Sequence, residues 1–153
     1  MLGKAVNKSM VGAGVFFYSE KTQRFLFLLR NNTKTKNTWG LVGGKIQSSE
    51  SVMEGLEREV LEEIGIKPIV LKKIPLDSFT SADETFTYHS FIFVVEEEFI
   101  PILNDEHDGY CWVTLEKYPK PLHPGVWNSI NMDVIINKIK FIKDINYKKS
   151  FEK

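Results

Sequence analysis

The chain has 153 residues, the length of one domain (expected to span 1–153) with a buried core, and its 42% hydrophobic fraction is that of an ordinary soluble globule. Twenty basic residues balance twenty acidic ones, so no net charge marks a surface for a membrane or a long nucleic acid. Cys111 is the single cysteine, which excludes an intramolecular disulfide; no apolar run is long enough to span a membrane and no signal-peptide core opens the chain, so a cytoplasmic protein is expected.

Residues Met1 to Met10 are polar and expected to be loosely attached. Val11 to Tyr18 and Arg24 to Arg30 predict two strands joined by the turn Ser19 to Gln23, a hairpin. Arg30 closes the second strand beside the polar loop NNTKTKN. The stretch Trp39 to Gly44 (WGLVGG) follows, and its paired glycines let the backbone take positive φ and approach a phosphate or a metal ion. Lys45 is either a phosphate contact or a solvated lysine.

A short helix follows. Met53, Leu56, Val60 and Ile64 fall on one stripe and must face a core. Ser48, Ser49 or Ser51 can cap its start, and Gly65 stops it. Glu59 and Glu63 lie one turn apart with Glu62 beside them, an unfavourable arrangement unless the face is solvated or meets a cation. Hard ions such as Mg²⁺ take carboxylate, water and phosphate oxygens, so such a cluster suits one.

The spacing of the whole stretch is more specific. Gly44, five residues, Glu50, seven residues, Arg58-Glu59-Val60, one residue, Glu62-Glu63, one residue, Gly65-Ile66 resembles the Nudix box at each defining position. Val42 stands before the double glycine, where many members have proline. The resemblance implies an α/β fold, an α/β/α sandwich with a mixed sheet, and hydrolysis of a nucleoside diphosphate linked to another group. It implies Mg²⁺, with Mn²⁺ as the alternative, held by Glu59, Glu62, Glu63 and the Gly44 carbonyl. Glu59, Glu63 and Glu106 are the general-base candidates. Arg58 and Glu50 would hold the ligands in place, or else form a surface ion pair. Arg30 is a phosphate contact or a strand-end charge, and Trp39, at the entry to the box, counts among the substrate contacts.

Beyond the box, Lys67 to Leu76 predicts an extended segment and Asp77 to Thr85 (DSFTSADET) a loop. Phe79 on that loop either stacks a base or covers the core edge. Phe86 to Val95 is the best strand, and Glu96-Glu97-Glu98 a solvated terminus. Glu106-His107 followed by Tyr110 and Trp112-Val113 resembles a segment of nucleotide-cleaving Nudix enzymes in which a loop glutamate completes the metal site. His107 itself reads as a surface hydrogen-bonding residue before a ligand, and Cys111 as a small buried hydrophobe in a strand. Pro119, Pro121 and Pro124 break any helix through Leu115 to Pro124. Val126 to about Ile145 then returns to helical spacing at Ile130, Val134, Ile135, Ile139 and Ile142, and the tail NYKKSFEK is polar.

The resemblance implies a small-molecule nucleotide as partner, and a monomer or homodimer. ADP-ribose or a dinucleoside polyphosphate is the first expectation, a (deoxy)nucleoside triphosphate losing pyrophosphate the second. Ser81, Ala82 and Asp83 stand where a proline or tyrosine would mark a subclass. A nucleotide-binding module without activity is disfavoured by the complete set of box carboxylates, and an RNA-cap hydrolase by the neutral charge.

Overall fold

The computed structural model describes residues 9–31, 34, 36–131, 133, 136–141 and 144. The expectations for residues 1–8 and for the tail lie outside them.

The predicted hairpin forms as β1 (Met10–Ser19) and β2 (Phe25–Arg30), paired at Tyr18↔Phe25. β1 is the axis of a seven-stranded sheet. Along one edge it runs parallel to β6 (Phe86–Val95), from Met10↔Phe86 to Ser19↔Val95. Its other edge is shared between β2 and β4 (Val42–Ile46), which is antiparallel from Val11↔Ile46 to Val15↔Val42. β2 continues outward to β3 (Trp39–Gly40) and β7 (His107–Val113), and β5 (Lys72–Thr80) covers the far edge of β6. The sheet is therefore mixed, as expected.

Period-two alternation divides the strand side chains between two cores. Ala13, Val15, Phe17, Phe93 and Val95 face one side and pack with Leu56, Val60 and Ile64 of α1 (Val52–Ile64). Phe16, Tyr18, Ile92 and Val94 face the other and pack with Val126 and Ile130 of α2 (Pro124–Asn131) and with Ile139. This is the α/β/α sandwich. Val134, Ile135 and Ile142, also expected on the second helix, lie outside the described residues. Among the described residues no helix is long and apolar enough to cross a membrane.

Ser51 is the cap of α1: its Oγ accepts from the Glu54 N–H, and the Glu54 carboxylate accepts from the Ser51 N–H, a reciprocal box. Gly65, at φ 67°, ends the helix and donates to the Leu61 carbonyl. Ser51→Ala should cost about 1 kcal/mol, read as a lowered urea midpoint at unchanged slope.

Four expectations change. Asp77 to Thr80 is strand and not loop; only residues 81–85 turn, tied by the Asp83 carboxylate to Ser81 and Thr85. Pro75 is tolerated because β5 is an edge strand. Pro124 opens α2 where it was expected to stop a helix, since a missing N–H costs nothing in the first turn. Glu98 is no solvated terminus: Arg24 donates to it from Nε at 2.6 Å and Nη2 at 2.7 Å, locking the β1–β2 turn to the end of β6. His107, expected at the surface, is buried. Cys111 sits half-buried in β7 with its thiol pushed up by burial, in keeping with a packing role.

Candidate active site

β4 delivers two glycines beneath α1. At Gly43, φ is +152° and a Cβ would lie 2.1 Å from the Ala13 carbonyl oxygen, so β4 can press this closely on β1 only without a side chain. The freed Gly43 N–H donates to Glu63 Oε1 at 2.7 Å. At Gly44 a Cβ would stand 2.6 Å from the Glu59 carboxylate carbon. The acidic face of α1 therefore rests on the glycine pair, one turn of helix above it.

Burial sets the electrostatics. Glu63 is only 5% exposed. Its carboxyl is pushed up to about 8, first by burial, against the Gly43 hydrogen bond, with the charges of Glu59 and Glu106 adding to the rise. Glu59 is raised too, again first by burial, with Arg58 opposing and Glu62 and Glu106 adding. The loop carboxylate of Glu106 thus acts on both helix carboxylates. Glu62 lies at the rim, its side chain 55% exposed.

Arg58 holds the acids together. It donates to Glu50 from Nε at 3.1 Å and Nη2 at 2.7 Å, to Glu59 from Nη1 at 3.0 Å, and to the Lys45 carbonyl at 3.0 Å. Its Nη1 also reaches both oxygens of Glu62 at 3.3 Å. Glu50 is lowered by Arg58 and by the Gln47 N–H, which it accepts at 2.8 Å. The pair is a strut joining the β4–α1 turn to the helix. Lysine cannot supply this fork. Arg58→Lys should lower kcat/KM by roughly 10- to 100-fold and raise the Mg²⁺ concentration needed for half-maximal rate. Unchanged Mg²⁺ dependence would assign Arg58 to the fold alone.

The loop before β7 is pinned by residues that sequence reasoning passed over. Asn31 donates its backbone N–H to the Glu106 carbonyl at 3.0 Å, and its Nδ2 to the Asp105 carbonyl at 2.9 Å and Asp108 Oδ1 at 2.7 Å. Asn104 Oδ1 accepts from the Glu106 N–H at 3.2 Å and lies 3.1 Å from His107 Nδ1. The Asn-Asp-Glu run is a side-chain-to-backbone turn signal that could have been read. His107 Nε2 stands 3.8 Å from Glu63 Oε2. Burial, then the Arg30 charge, pushes its imidazole down to about 4, so at neutral pH this contact is no ion pair.

A pocket of about 740 Å³ opens beside the glycine pair on the α2 side of the sheet. Arg30, Gly43 and Gly44 line one part of it, and Phe79, Phe86 and Tyr88 another. Phe86 and Tyr88 were not singled out from the sequence; their i,i+2 spacing on β6 was the available signal. Trp39 packs against the core on the α2 side and does not line the pocket, and neither does the exposed Lys45.

Chemically, the acids offer only hard oxygen donors, the kind a divalent cation takes. Burial and mutual repulsion disfavour the charged forms of Glu59 and Glu63, and a cation would relieve both effects. Among the described residues no three acidic, histidine or cysteine side chains already converge as a ligand set. Arg58 engages Glu59 and Glu62, and the Gly43 amide engages Glu63.

Residues 8–132 match the NUDIX domain family. The chain is 30% identical over 118 residues to a dihydroneopterin triphosphate diphosphatase of Haemophilus influenzae, covering 67% of this chain and 73% of that protein. It is 30% identical over 77 residues to an ADP-ribose pyrophosphatase of Methanocaldococcus jannaschii, covering 50% of this chain and 46% of that one. The NUDIX domain of Shewanella oneidensis NrtR, solved in complex with ADP ribose, shares the fold at 18% identity, with a TM-score of 0.68 over 85% of this chain and 89% of that one.

Proposed function

Because this chain belongs to the Nudix family of hydrolases, we propose that it is a Mg²⁺-dependent pyrophosphohydrolase that cleaves a phosphoanhydride of a nucleotide-type substrate by attack of water on phosphorus. The observation that carries this reading is the buried Glu63 and half-buried Glu59, which repel each other and feel the charge of the exposed loop residue Glu106, above a side-chain-free turn at the edge of an aromatic pocket. Glu59, Glu62, Glu63, the Gly44 carbonyl and Glu106 would hold the ion. Bound there, Mg²⁺ supplies charge neutralisation for the phosphates and acidifies water. Arg30 lines the pocket beside both glycines and meets phosphate charge, while the rings of Phe79, Phe86 and Tyr88 take a planar heterocycle. One of Glu59, Glu63 and Glu106 orients the attacking water or takes its proton. Arg58 and Glu50 keep the helix carboxylates in place.

A triphosphate that releases pyrophosphate is the substrate type we favour, because the relative aligned over the larger share of both chains is a triphosphate diphosphatase. ADP-ribose is the second reading, supported by the archaeal relative. A panel of nucleotides with Mg²⁺ in ¹⁸O-labelled water tests both. A triphosphate should give monophosphate and pyrophosphate, ADP-ribose should give AMP and ribose 5-phosphate, and the label should enter a phosphate product. Label on a sugar carbon would overturn the mechanism, since it means glycoside-type cleavage.

A further inference from the structure

Asp77 belongs to no part of the acid cluster, yet it lines the pocket. A bulge puts it there. Ile74 pairs with Ile92 and Pro75 with Phe91, but Asp77 pairs with Ser90, leaving Leu76 as the extra residue. Regular alternation from Ile74 would have turned Ser78 inward and Asp77 outward. The bulge exchanges them, so Asp77 and Phe79 join Ser90 and Tyr88 on the α2 side of the sheet. Leu76 fills the core below, and the Lys138 ammonium donates to its carbonyl at 3.0 Å, holding the bulge.

The neighbouring polar side chains, Ser90 on this wall and Ser78 on the opposite face, are engaged. Ser90 Oγ donates to the Asp77 carbonyl at 3.4 Å, and Ser78 Oγ is 2.7 Å from His89 Nδ1. Among the described residues the Asp77 carboxylate makes no hydrogen bond or ion pair. Among the described residues it is the single acidic side chain lining the pocket, whose lining also includes Phe79, Phe86, Tyr88, Ser90 and His123. From β5 to β4 the sheet runs through β6 and β1. Three strand spacings of ~4.8 Å put roughly 14 Å between Asp77 and the glycine pair. A nucleotide spans that distance with its base at Asp77 and its phosphates at Gly43, Gly44 and Arg30.

An ionised carboxylate only accepts, and its two oxygens take two parallel N–H donors. The heterocycle edge that presents two such donors side by side is a ring N–H next to an exocyclic amino group. Guanine has it, and so does a pterin, as the same 2-amino-4-oxopyrimidine ring. Adenine and cytosine place a ring-nitrogen acceptor beside the amino group, which would face the carboxylate unpaired. Uracil and thymine flank one N–H with carbonyls, and hypoxanthine lacks the amino group.

We propose that Asp77 reads the 2-amino-4-oxopyrimidine edge of the substrate, making guanine nucleotides or pterin triphosphates the preferred class. The proposal rests on the hydrolase reading for the reaction that follows, though base reading is measurable without turnover. Calorimetric binding of GDP, IDP and ADP to the wild type and to Asp77→Asn, without divalent metal, is the first experiment. GDP should bind the wild type roughly 10- to 100-fold more tightly than IDP or ADP, and Asp77→Asn should close most of that gap. Equal binding of GDP and IDP to the wild type overturns the proposal, and needs no variant to fold. A gap that survives in folded Asp77→Asn overturns it as well.

Hydrolysis of GTP, ITP, ATP and 7,8-dihydroneopterin triphosphate with Mg²⁺ is the second. A preference of kcat/KM for GTP and the pterin over ITP and ATP supports the proposal, and the ratio of the first two separates nucleotide from pterin. Tight, Asp77-dependent GDP binding with no triphosphate or ADP-ribose cleaved would sink the hydrolase reading and leave base reading standing. Cleavage of GTP, ITP and ATP at one rate, with equal binding, would do the reverse.

Discussion

Glu63→Gln should lower kcat by roughly 10²- to 10⁴-fold while the protein stays folded. The side chain is nearly isosteric, and its retained oxygen can still accept the Gly43 N–H. What disappears is a charge that burial and the neighbouring Glu59 and Glu106 oppose, and that nothing in the packing requires. A second readout is independent of turnover. In chelator, the folded carboxyl titrates at about 8 against an ordinary 4.5. The native state therefore binds more protons than the unfolded chain between those values. The stability tied to protonated Glu63 is full at acid pH and lost as pH rises towards 8 and through it. That loss is on the order of a few kcal/mol in the metal-free protein, and the glutamine variant does not suffer it. Its melting temperature should match the wild type below about pH 4.5, exceed it increasingly as pH rises from there, and reach the full difference above about pH 8. Wild-type turnover in Glu63→Gln at saturating Mg²⁺ would remove the carboxylate from the chemistry. Parallel melting curves across the range would remove the buried charge.

Gly43→Ala should be the most damaging change in the turn. The new Cβ would lie 2.1 Å from the Ala13 carbonyl oxygen, a backbone atom, and at φ +152° the residue is strained in any case. We expect a loss of about 3 kcal/mol or more, with turnover falling further as the amide leaves Glu63. Gly44→Ala makes the useful contrast. There the clash is with the Glu59 carboxylate, the free end of a side chain that can swing away. That variant should keep most of its stability and lose activity. If Gly43→Ala melts with the wild type, β4 does not press on β1 as described.

Local pattern was enough for the parts of the molecule whose causes lie within a few residues. The stripe Leu56, Val60 and Ile64 follows from the 3.6-residue period, the stop at Gly65 from left-handed geometry, and the hairpin from two apolar runs and a polar turn. The spacing from Gly44 to Ile66 carried the acid cluster because a helix brings residues one turn apart onto one face, whatever it packs against. Glu50, Arg58, Glu59, Glu62 and Glu63 were legible for that reason.

Contacts between distant segments decided the rest. Residues 77–80 (DSFT) have loop composition; they are strand because β6 supplies the hydrogen bonds, and no local signal encodes a partner's edge. Which way Asp77 points depends on the bulge at Leu76, since one inserted residue reverses every later side chain. The loop carrying Glu106 is held at the end of β2 by Asn31, a residue whose role exists only after β2 and β7 have paired. The raised Glu63 and the lowered His107 likewise come from burial, a property of the assembled sheet and helix. Short-range periodicity was written in the chain itself, whereas strand register, side-chain facing and desolvation arose only when remote segments met.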